Sequence, residues 1–197
     1  MLCGLDEAGR GPLAGPVCAA AVVLPEGFPF AVLGDSKKLS PRAREYAMAL
    51  IYNQALAWGV GWCSPVEIDR INILRASLLA MERAYETLCF HFPQVRVERA
   101  VADGLYAPAL SIPCQAQVRA DSQIVEVMAA SILAKTARDR MMNRYSWLYP
   151  EYGYEQHKGY PTKTHFDRIA LFGPSPIQRK TFAPEKIQGL LFNGDGT

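Results

Sequence analysis

The sequence contains no apolar run long enough to cross a membrane, and no basic segment followed by a long apolar run at its start. A transmembrane helix needs about 20 predominantly apolar residues. A secretory signal needs a positively charged segment ahead of an apolar one. We therefore expect a protein of the cytoplasm that does not associate with membranes.

Cysteine is sparse, and its spacing fits neither a disulfide framework nor a zinc site. The five cysteines are odd in number, and none belongs to a Cys-x-x-Cys pair. Most lie in apolar segments, which predicts buried free thiols and a reducing compartment. The net charge is also small. A value of +2 does not indicate whether the protein binds a negatively or a positively charged partner. The cysteines are Cys3, Cys18, Cys63, Cys89 and Cys114.

Short apolar runs bounded by glycine, proline and polar residues predict five strands, and longer periodic segments predict helices. The run at 16–24 is almost wholly apolar, which is typical of a strand that is buried on both faces. The predicted strands are 2–7, 16–24, 60–63, 95–102 and 110–118. The predicted helices are 41–58 (ended by Gly59), segments that begin at Pro65, near Asn72 and after Ser122, and 162–172.

The order of these elements indicates an α/β fold in three layers, with a central mixed five-stranded sheet flanked by helices. The early strands resemble antiparallel hairpins, and the later ones follow helices and are expected to be parallel. The 197 residues, 50% of them hydrophobic, suffice for one domain with a sizeable core. We expect that domain to span residues 1–174, and residues 175–197 to form an irregular C-terminal tail.

Carboxylates stand at the ends of three predicted strands. Asp6, Asp103 and Asp121 each occupy a C-terminal strand end, where open α/β sheets gather their sites. With Glu7 they would form a cluster of four acids, and like charges held so close are stable only when cations neutralise them. All-oxygen ligands suit Mg²⁺ or Mn²⁺, and two such ions about 4 Å apart are the usual arrangement for phosphodiester hydrolysis.

Glu7 does not fit this cluster easily. Consecutive strand residues face opposite sides of a sheet, so a regular strand cannot present both Asp6 and Glu7 to one crevice. Either the strand bends at Glu7, as Gly9 would permit, or Glu7 reaches around the sheet edge. The glycines beside Arg10 could bring backbone N–H groups close to a polyanion. The alternative interpretation is an ordinary strand-to-turn junction with solvated acids.

The chain resembles the ribonuclease HII family, of the ribonuclease H-like fold, over nearly its whole length. The first of the matching stretches is highly specific, and the set leaves little room for coincidence. The stretches are 4–17 (GLDEAGRGPLAGPV), 35–39 (DSKKL), 71–74 (INIL), 102–104 (ADG), 120–122 (ADS), 129–135 (AASILAK) and 157–162 (HKGYPT).

This resemblance implies an endonuclease that cleaves the RNA strand of RNA–DNA hybrids. It also implies nicking of duplex DNA on the 5′ side of an embedded ribonucleotide, which leaves 3′-hydroxyl and 5′-phosphate ends. The implied cofactor is a pair of Mn²⁺ or Mg²⁺ ions. The implied ligands of these ions are Asp6, Glu7, Asp103 and Asp121.

The resemblance also assigns substrate contacts. Gly9, Arg10 and Gly11 correspond to a family motif that contacts the ribose 2′-hydroxyl and adjoining phosphates, largely through backbone. The 2′-hydroxyl is the group that separates RNA from DNA. Tyr160 corresponds to a tyrosine that stacks on the sugar at the RNA–DNA junction. Positions expected to touch the DNA backbone fall on Ser36, Lys37 and Asn72.

The chain departs from the family pattern at two points. Leu105 follows Asp-Gly where the family often has Asn, and Lys135-Thr136-Ala137-Arg138-Asp139 replaces a common Lys-Val-Thr-Arg-Asp. Neither departure removes an implied metal ligand, and Asp139 is expected to pair with an arginine. The related ribonuclease HIII carries an extra N-terminal domain, for which the few residues before Asp6 leave no room. This favours the HII type.

Two other classes of function compete with this interpretation. A non-catalytic nucleic-acid-binding module would not need all four acids, and a phosphatase for small molecules would not need Gly9–Gly11 or Tyr160. A further hypothesis concerns Gln188–Phe192, which looks like the Gln-x-x-Leu-Phe peptide that docks in the bacterial sliding clamp. The alternative for that segment is packing on its own domain. We expect the protein to be a monomer.

Overall fold

The computed structural model describes residues 1–34 and 39–182, and it places a five-stranded mixed sheet at the centre. The order across the sheet is β3-β2-β1-β4-β5. The first three strands pair in antiparallel fashion, whereas β1–β4 and β4–β5 are parallel. This confirms the predicted sheet. The strands are β1 (Leu2–Ala8), β2 (Val17–Val23), β3 (Ala57–Cys63), β4 (Arg99–Asp103) and β5 (Cys114–Gln117).

Helices cover both faces of the sheet, which gives the three expected layers. They are α1 (Pro41–Gln54), α2 (Pro65–Ile71), α3 (Ile73–His91), α4 (Val125–Leu148), α5 (Tyr154–His157) and α6 (Lys163–Phe172). One core lies between the sheet and α3, and the other lies between the sheet and the pair α1 and α4. Strand β2 is buried along its whole length because alternate residues enter the two cores. No helix of the described residues is long and apolar enough to cross a membrane.

The predicted boundary between α1 and β3 is wrong. The helix ends at Gln54, and Trp58 and Gly59 belong to β3. Gly59 serves the sheet instead of ending the helix, because a Cβ atom there would lie 2.2 Å from the Ala84 carbonyl oxygen of α3. Only glycine allows the helix to approach the strand so closely.

Strands β4 and β5 are shorter than the apolar runs that predict them. The runs at 95–102 and 110–118 include residues that pack on the α3-side core from outside the ladder, among them Val95, Val97, Leu110 and Ile112. Burial, rather than strand pairing, accounts for their apolar character.

The segment that follows α6 packs against the loop between β1 and β2. Gln178 forms an isolated antiparallel bridge with Ala14, and the side chain of Arg179 is fully buried. The predicted domain boundary at residue 174 stays a prediction. The Gln188–Phe192 peptide lies outside the described residues.

Candidate active site

Asp6 and Asp103 lie side by side on the neighbouring strands β1 and β4, directly after the last residue pair of their parallel ladder. The parallel register pairs Leu5 with Ala102, so the next residue of each strand is one of the two acids. Asp103 is the last residue of β4. The strand ends therefore bring together two residues that are far apart in the sequence, as predicted for an open α/β sheet.

Asp6 is a buried carboxylate surrounded by like charge. Its Oδ1 accepts a hydrogen bond from the backbone N–H of Glu7 at 2.7 Å, and only 5% of the residue is exposed. Burial raises the pKa of Asp6 well above its usual value, and the negative charges of Glu7 and Asp103 raise it further. A hydrogen bond with Ser131 of α4 opposes this shift. The site thus disfavours an ionised Asp6 unless positive charge enters.

Strand β1 does not break at Glu7. Its antiparallel register with β2 continues through Glu7–Ala19 to Ala8–Cys18. Glu7 and Ser77 of α3 line a small cavity of about 130 Å³ on the face opposite Ser131. Because pairing with β4 ends at Leu5, both Asp6 and Glu7 nevertheless line a larger cavity at the open edge. Glu7 therefore reaches the crevice around the sheet edge, which is the second of the two geometries considered above.

Arg10 partly compensates Glu7. Its Nη1 lies 3.4 Å from Oε1 of Glu7, and the Glu7 side chain is 12% exposed. Burial raises the pKa of Glu7, Arg10 lowers it, and the charge of Asp103 raises it. Asp6 and Glu7 thus differ, because the half-exposed guanidinium of Arg10 already faces Glu7.

Asp121 does not stand at a strand end. Strand β5 ends at Gln117, and Asp121 lies in a 3₁₀ turn, Ala120–Ser122, that precedes α4. Oδ1 of Asp103 accepts the N–H of Ala120 at 2.8 Å and that of Asp121 at 3.5 Å. The turn is thereby attached to β4 through its backbone, while Asp121 is outside the wall of the larger cavity.

The four acids do not form a preassembled metal site. Within residues 1–34 and 39–182, no three His, Cys, Asp or Glu side chains are grouped so that they could hold a metal ion. The donor set still fits a hard divalent cation, since it is all oxygen and since the pKa of Asp6 is raised by burial and by two neighbouring acids. Cation binding would relieve that repulsion, and it requires the carboxylates to approach one another.

The loop after β1 begins at a glycine that no other residue could replace without strain. Gly9 is buried with φ +103°, and a Cβ atom on it would lie 2.1 Å from Nε of Arg138. Gly11 is exposed, and a Cβ atom there would meet only Cε1 of Tyr160, at 3.7 Å. Packing and backbone conformation therefore require glycine at position 9, whereas packing does not require it at position 11.

Tyr160 lies beside this loop in the cavity wall and is 39% exposed. Two cations lie near its ring, with Nζ of Lys135 at 5.8 Å and Cζ of Arg138 at 5.9 Å from the centroid. The Leu13 N–H donates to the Gly159 carbonyl oxygen at 2.8 Å, which joins the Tyr160 segment to the glycine loop.

The larger cavity has a volume of about 500 Å³ and brings together seven of the predicted site residues. Its wall combines acids with the glycine loop, the tyrosine and the basic residues Arg44 and Lys135. The seven are Asp6, Glu7, Gly9, Arg10, Gly11, Asp103 and Tyr160. Asn72 and Asp121 are not in this wall, and Ser36 and Lys37 lie outside the described residues.

Asn72 is exposed and has a backbone role. It adopts φ +67°, and its Oδ1 accepts the Arg75 N–H at 3.1 Å, which caps α3. Leu74, two residues further on, lines the small cavity beside Glu7 and Arg10. Asn72 thus lies next to the site without entering the larger cavity.

Two cations of the cavity wall were not assigned roles from the sequence. Nζ of Lys135 lies 2.8 Å from Oδ1 of Asp139, and Nη1 of Arg44 lies 3.1 Å from Oδ2 of the same carboxylate. This confirms that Asp139 pairs with an arginine. Lys135 ends one of the family-like stretches, which was a usable signal. Arg44 lies in α1, outside the family-like stretches, and offered none.

The fold and the acid-lined sheet edge define a hydrolase of the ribonuclease H-like class. A crystal structure of ribonuclease H2 from Pyrococcus horikoshii matches with a TM-score of 0.74 at 25% identity, over 96% of this chain and 98% of that one. Bst ribonuclease HIII in complex with Mn²⁺ matches with a TM-score of 0.75 at 18% identity, over 98% of this chain and 69% of that one. At that identity the second match concerns the fold alone.

The chain belongs to the ribonuclease HII family, whose model matches residues 3–184. Ribonuclease HII of Treponema denticola is 55% identical over 92% of this chain and 98% of its own length. Ribonuclease HII of Dechloromonas aromatica is 50% identical over 93% of this chain and 91% of its own. The protein is therefore a metal-dependent ribonuclease H of type 2, an endonuclease for RNA–DNA hybrids.

Proposed function

We propose that this ribonuclease also nicks duplex DNA on the 5′ side of a single embedded ribonucleotide, leaving 3′-hydroxyl and 5′-phosphate ends. One observation carries the proposal: a single cavity is lined by Asp6 and Asp103 together with Gly11 and Tyr160. A phosphodiester beside the acids would place its ribose within reach of the loop and the ring. Such an activity would suit ribonucleotide excision repair in the cytoplasm.

The acids are proposed to act as ligands of two Mg²⁺ or Mn²⁺ ions. Asp6 and Asp121 would hold one ion, and Glu7 and Asp103 would complete the pair. When bound, such ions polarise a water molecule and neutralise charge at the scissile phosphate. The protein's own contribution is the repulsion between Asp6, Glu7 and Asp103 in a buried setting, which favours the entry of cations.

The glycine loop is proposed to recognise the ribose. Backbone N–H groups of Gly9–Gly11 can approach a 2′-hydroxyl closely because Gly11 carries no side chain, and its nearest prospective neighbour is the Tyr160 ring. Tyr160 would stack on the adjoining sugar. A small-molecule phosphatase would gain nothing from these groups, and a passive binding module would gain nothing from the repelling acids.

Basic side chains are proposed to hold the substrate backbone. Lys135 and Arg44 line the cavity as a pair fixed by Asp139, so each presents its charge without a large entropic cost. Asn72, Ser36 and Lys37 are proposed to touch the DNA backbone around the cavity. Such contacts raise affinity without reading sequence.

The test of the activity uses a DNA duplex with one ribonucleotide, incubated with the protein and Mg²⁺ or Mn²⁺. We expect a single nick on the 5′ side of the ribonucleotide, a 3′ end that a polymerase extends, and no cleavage of the all-DNA duplex. An uncut single-ribonucleotide duplex beside a cleaved RNA–DNA hybrid would contradict the proposal and indicate a different ribonuclease H specificity.

The Gln188–Phe192 peptide is proposed to dock in the sliding clamp. Among the structural matches, ribonuclease HII of Archaeoglobus fulgidus was solved in complex with PCNA, and it matches with a TM-score of 0.72 at 23% identity over 96% of each chain. That likeness concerns the fold, so the proposal rests on the peptide sequence. Deletion of residues 188–197 should abolish binding to a bacterial clamp in a pull-down and leave cleavage unchanged. Binding that survives the deletion would refute it.

A further inference from the structure

A buried guanidinium lies directly behind the glycine loop. The side chain of Arg179 is fully buried and donates three hydrogen bonds to carbonyl oxygens of that loop. Nε donates to Gly15 at 2.8 Å, Nη1 to Arg10 at 3.1 Å, and Nη2 to Gly9 at 2.6 Å. A residue from the C-terminal segment thus holds both ends of the loop.

The segment that carries Arg179 is itself attached to the middle of the loop. The Arg179 N–H donates to the Leu13 carbonyl oxygen at 2.8 Å, and the Gly15 N–H donates to the Ile177 carbonyl oxygen at 2.9 Å. Nε2 of Gln178 also donates to Leu13, at 3.0 Å. These bonds fix Leu13 and Gly15, whereas Gly9 and Arg10 are held by the Arg179 side chain.

Arg179 is held by carbonyl groups and an aromatic ring. Its Cζ lies 5.3 Å from the centroid of Phe182. Burial and the nearby charge of Arg138 lower the pKa of Arg179 to about 9, so the guanidinium remains charged at neutral pH. A buried cation costs free energy that an apolar side chain of the same volume would not. Unlike an apolar side chain, the arginine fixes the direction of the Gly9, Arg10 and Gly15 carbonyl groups.

Carbonyl direction determines N–H direction in the next residue. A trans peptide unit is planar, and its C=O and N–H point opposite ways. Because the Gly9 carbonyl points at Arg179, the Arg10 N–H points away from the protein interior. The Arg10 carbonyl fixes the Gly11 N–H in the same manner. Both Arg10 and Gly11 line the cavity.

We propose that Arg179 is a positioning residue for substrate recognition, which orients the Arg10 and Gly11 N–H groups toward the ribose and its phosphates. This rests on the proposed function of the loop. Substitution of Arg179 releases the Gly9–Arg10 and Arg10–Gly11 peptide units, because the hydrogen bonds at Leu13 and Gly15 do not reach them. The released peptides lose their preset orientation, and the substrate must order them on binding.

The experiment compares Arg179→Met with Gln178→Met, a buried neighbour whose side chain donates a hydrogen bond to the Leu13 carbonyl oxygen and does not bond Gly9 or Arg10. Both KM and kcat are measured on the single-ribonucleotide duplex with Mg²⁺, below the unfolding transition of each variant. We expect Arg179→Met to raise KM about tenfold or more with a smaller fall in kcat, because ground-state binding is lost. Gln178→Met should stay within about twofold of the wild type.

Loss of folded protein would give a different result, since it lowers the apparent kcat and leaves KM unchanged. An unchanged KM in Arg179→Met would therefore overturn the proposal. Arg179→Lys keeps the charge but reaches fewer carbonyl groups, so its KM should lie between the KM of the wild type and that of Arg179→Met. If the methionine variant does not fold, this lysine variant decides. A wild-type protein that leaves the single-ribonucleotide duplex uncut would refute the proposed function instead.

Discussion

Nε of Arg138 lies 2.1 Å from the point where a Cβ atom on Gly9 would stand. Arg138 cannot move away freely, because Nε donates to the Pro16 carbonyl oxygen at 2.9 Å and Nη2 to that of Ala14 at 3.1 Å. The close packing of the buried Arg138 side chain thus requires glycine at position 9. Gly11, in contrast, faces the cavity.

This difference predicts opposite outcomes for two alanine variants. Gly9→Ala should be destabilised by about 2–4 kcal/mol, because it combines a positive φ with a clash against a buried guanidinium. Gly11→Ala should unfold within about 0.5 kcal/mol of the wild type, and its KM should rise because a methyl group enters the approach to the ribose. Urea unfolding and steady-state kinetics measure both. Equal stability of the two variants would contradict the account.

Asp6→Asn should abolish cleavage and stabilise the metal-free protein. The amide removes a buried negative charge that faces Glu7 and Asp103, and its oxygen can still accept the Glu7 N–H. We expect the Tm in EDTA to rise by a few degrees and the stabilisation by added Mg²⁺ to shrink. Asp167→Asn, at an exposed ion pair on α6, serves as the control and should change neither. A variant with full activity would refute the role of Asp6.

Lys135→Gln should weaken substrate binding more than it weakens the fold. Lys135 lines the cavity, and its partner Asp139, 2.8 Å away, keeps an ion pair with Arg44 when Lys135 is replaced. The expected result is a KM increase of about tenfold, a kcat close to that of the wild type and a shallower salt dependence of binding. Lys163→Gln makes the matched control, since that lysine lies on α6 with a 93% exposed side chain. Equal kinetic effects of the two substitutions would exclude a specific role for Lys135.

Stability should fall in acid because of two stacked histidines next to Tyr160. The rings of His157 and His165 are 4.4 Å apart, and Nδ1 of His165 bonds the Tyr160 carbonyl oxygen at 3.0 Å. Burial, and then the charge of His157, lower the pKa of His165 from 6.5 to about 4. Between these values the unfolded chain binds the additional proton, so the stabilisation is complete above pH 6.5 and is lost as the pH falls to about 4.

The measurement is the free energy of unfolding across that pH range for the wild type and His165→Asn. The variant should lack a decline of at most about 3 kcal/mol that the wild type shows. His91→Asn is the control, because His91 is exposed at the end of α3. Parallel pH profiles for wild type and His165→Asn would contradict the prediction.

The sequence predicted the sheet well because strand positions depend on local pattern. It misplaced Asp121, which lies in a 3₁₀ turn and not at a strand end. Apolar runs located the strands, and parallel topology then placed Asp6 beside Asp103. The prediction that Gly59 ends α1 was wrong. A glycine that ends a helix and a glycine that lets a strand pack closely against a helix cannot be distinguished from sequence alone. Arg44, Arg138 and Arg179 could not be assigned roles, since each acts through a partner distant in sequence. The sequence could not predict how closely the carboxylates converge, because strand position does not determine side-chain geometry.

The bond between Leu13 and Gly159 has one more consequence. Arg138 adds to it, since Nη1 donates to the Lys158 carbonyl oxygen at 3.1 Å while its other nitrogens hold the glycine loop. Gly11 and Tyr160 therefore form one continuous part of the cavity wall, joined by main-chain bonds before any substrate arrives. A Cβ atom on Gly11 would already lie 3.7 Å from the Tyr160 ring, so a ribose would meet the two groups as one preformed surface. Such a surface needs no closing motion and presents the same shape to every nucleotide that reaches it.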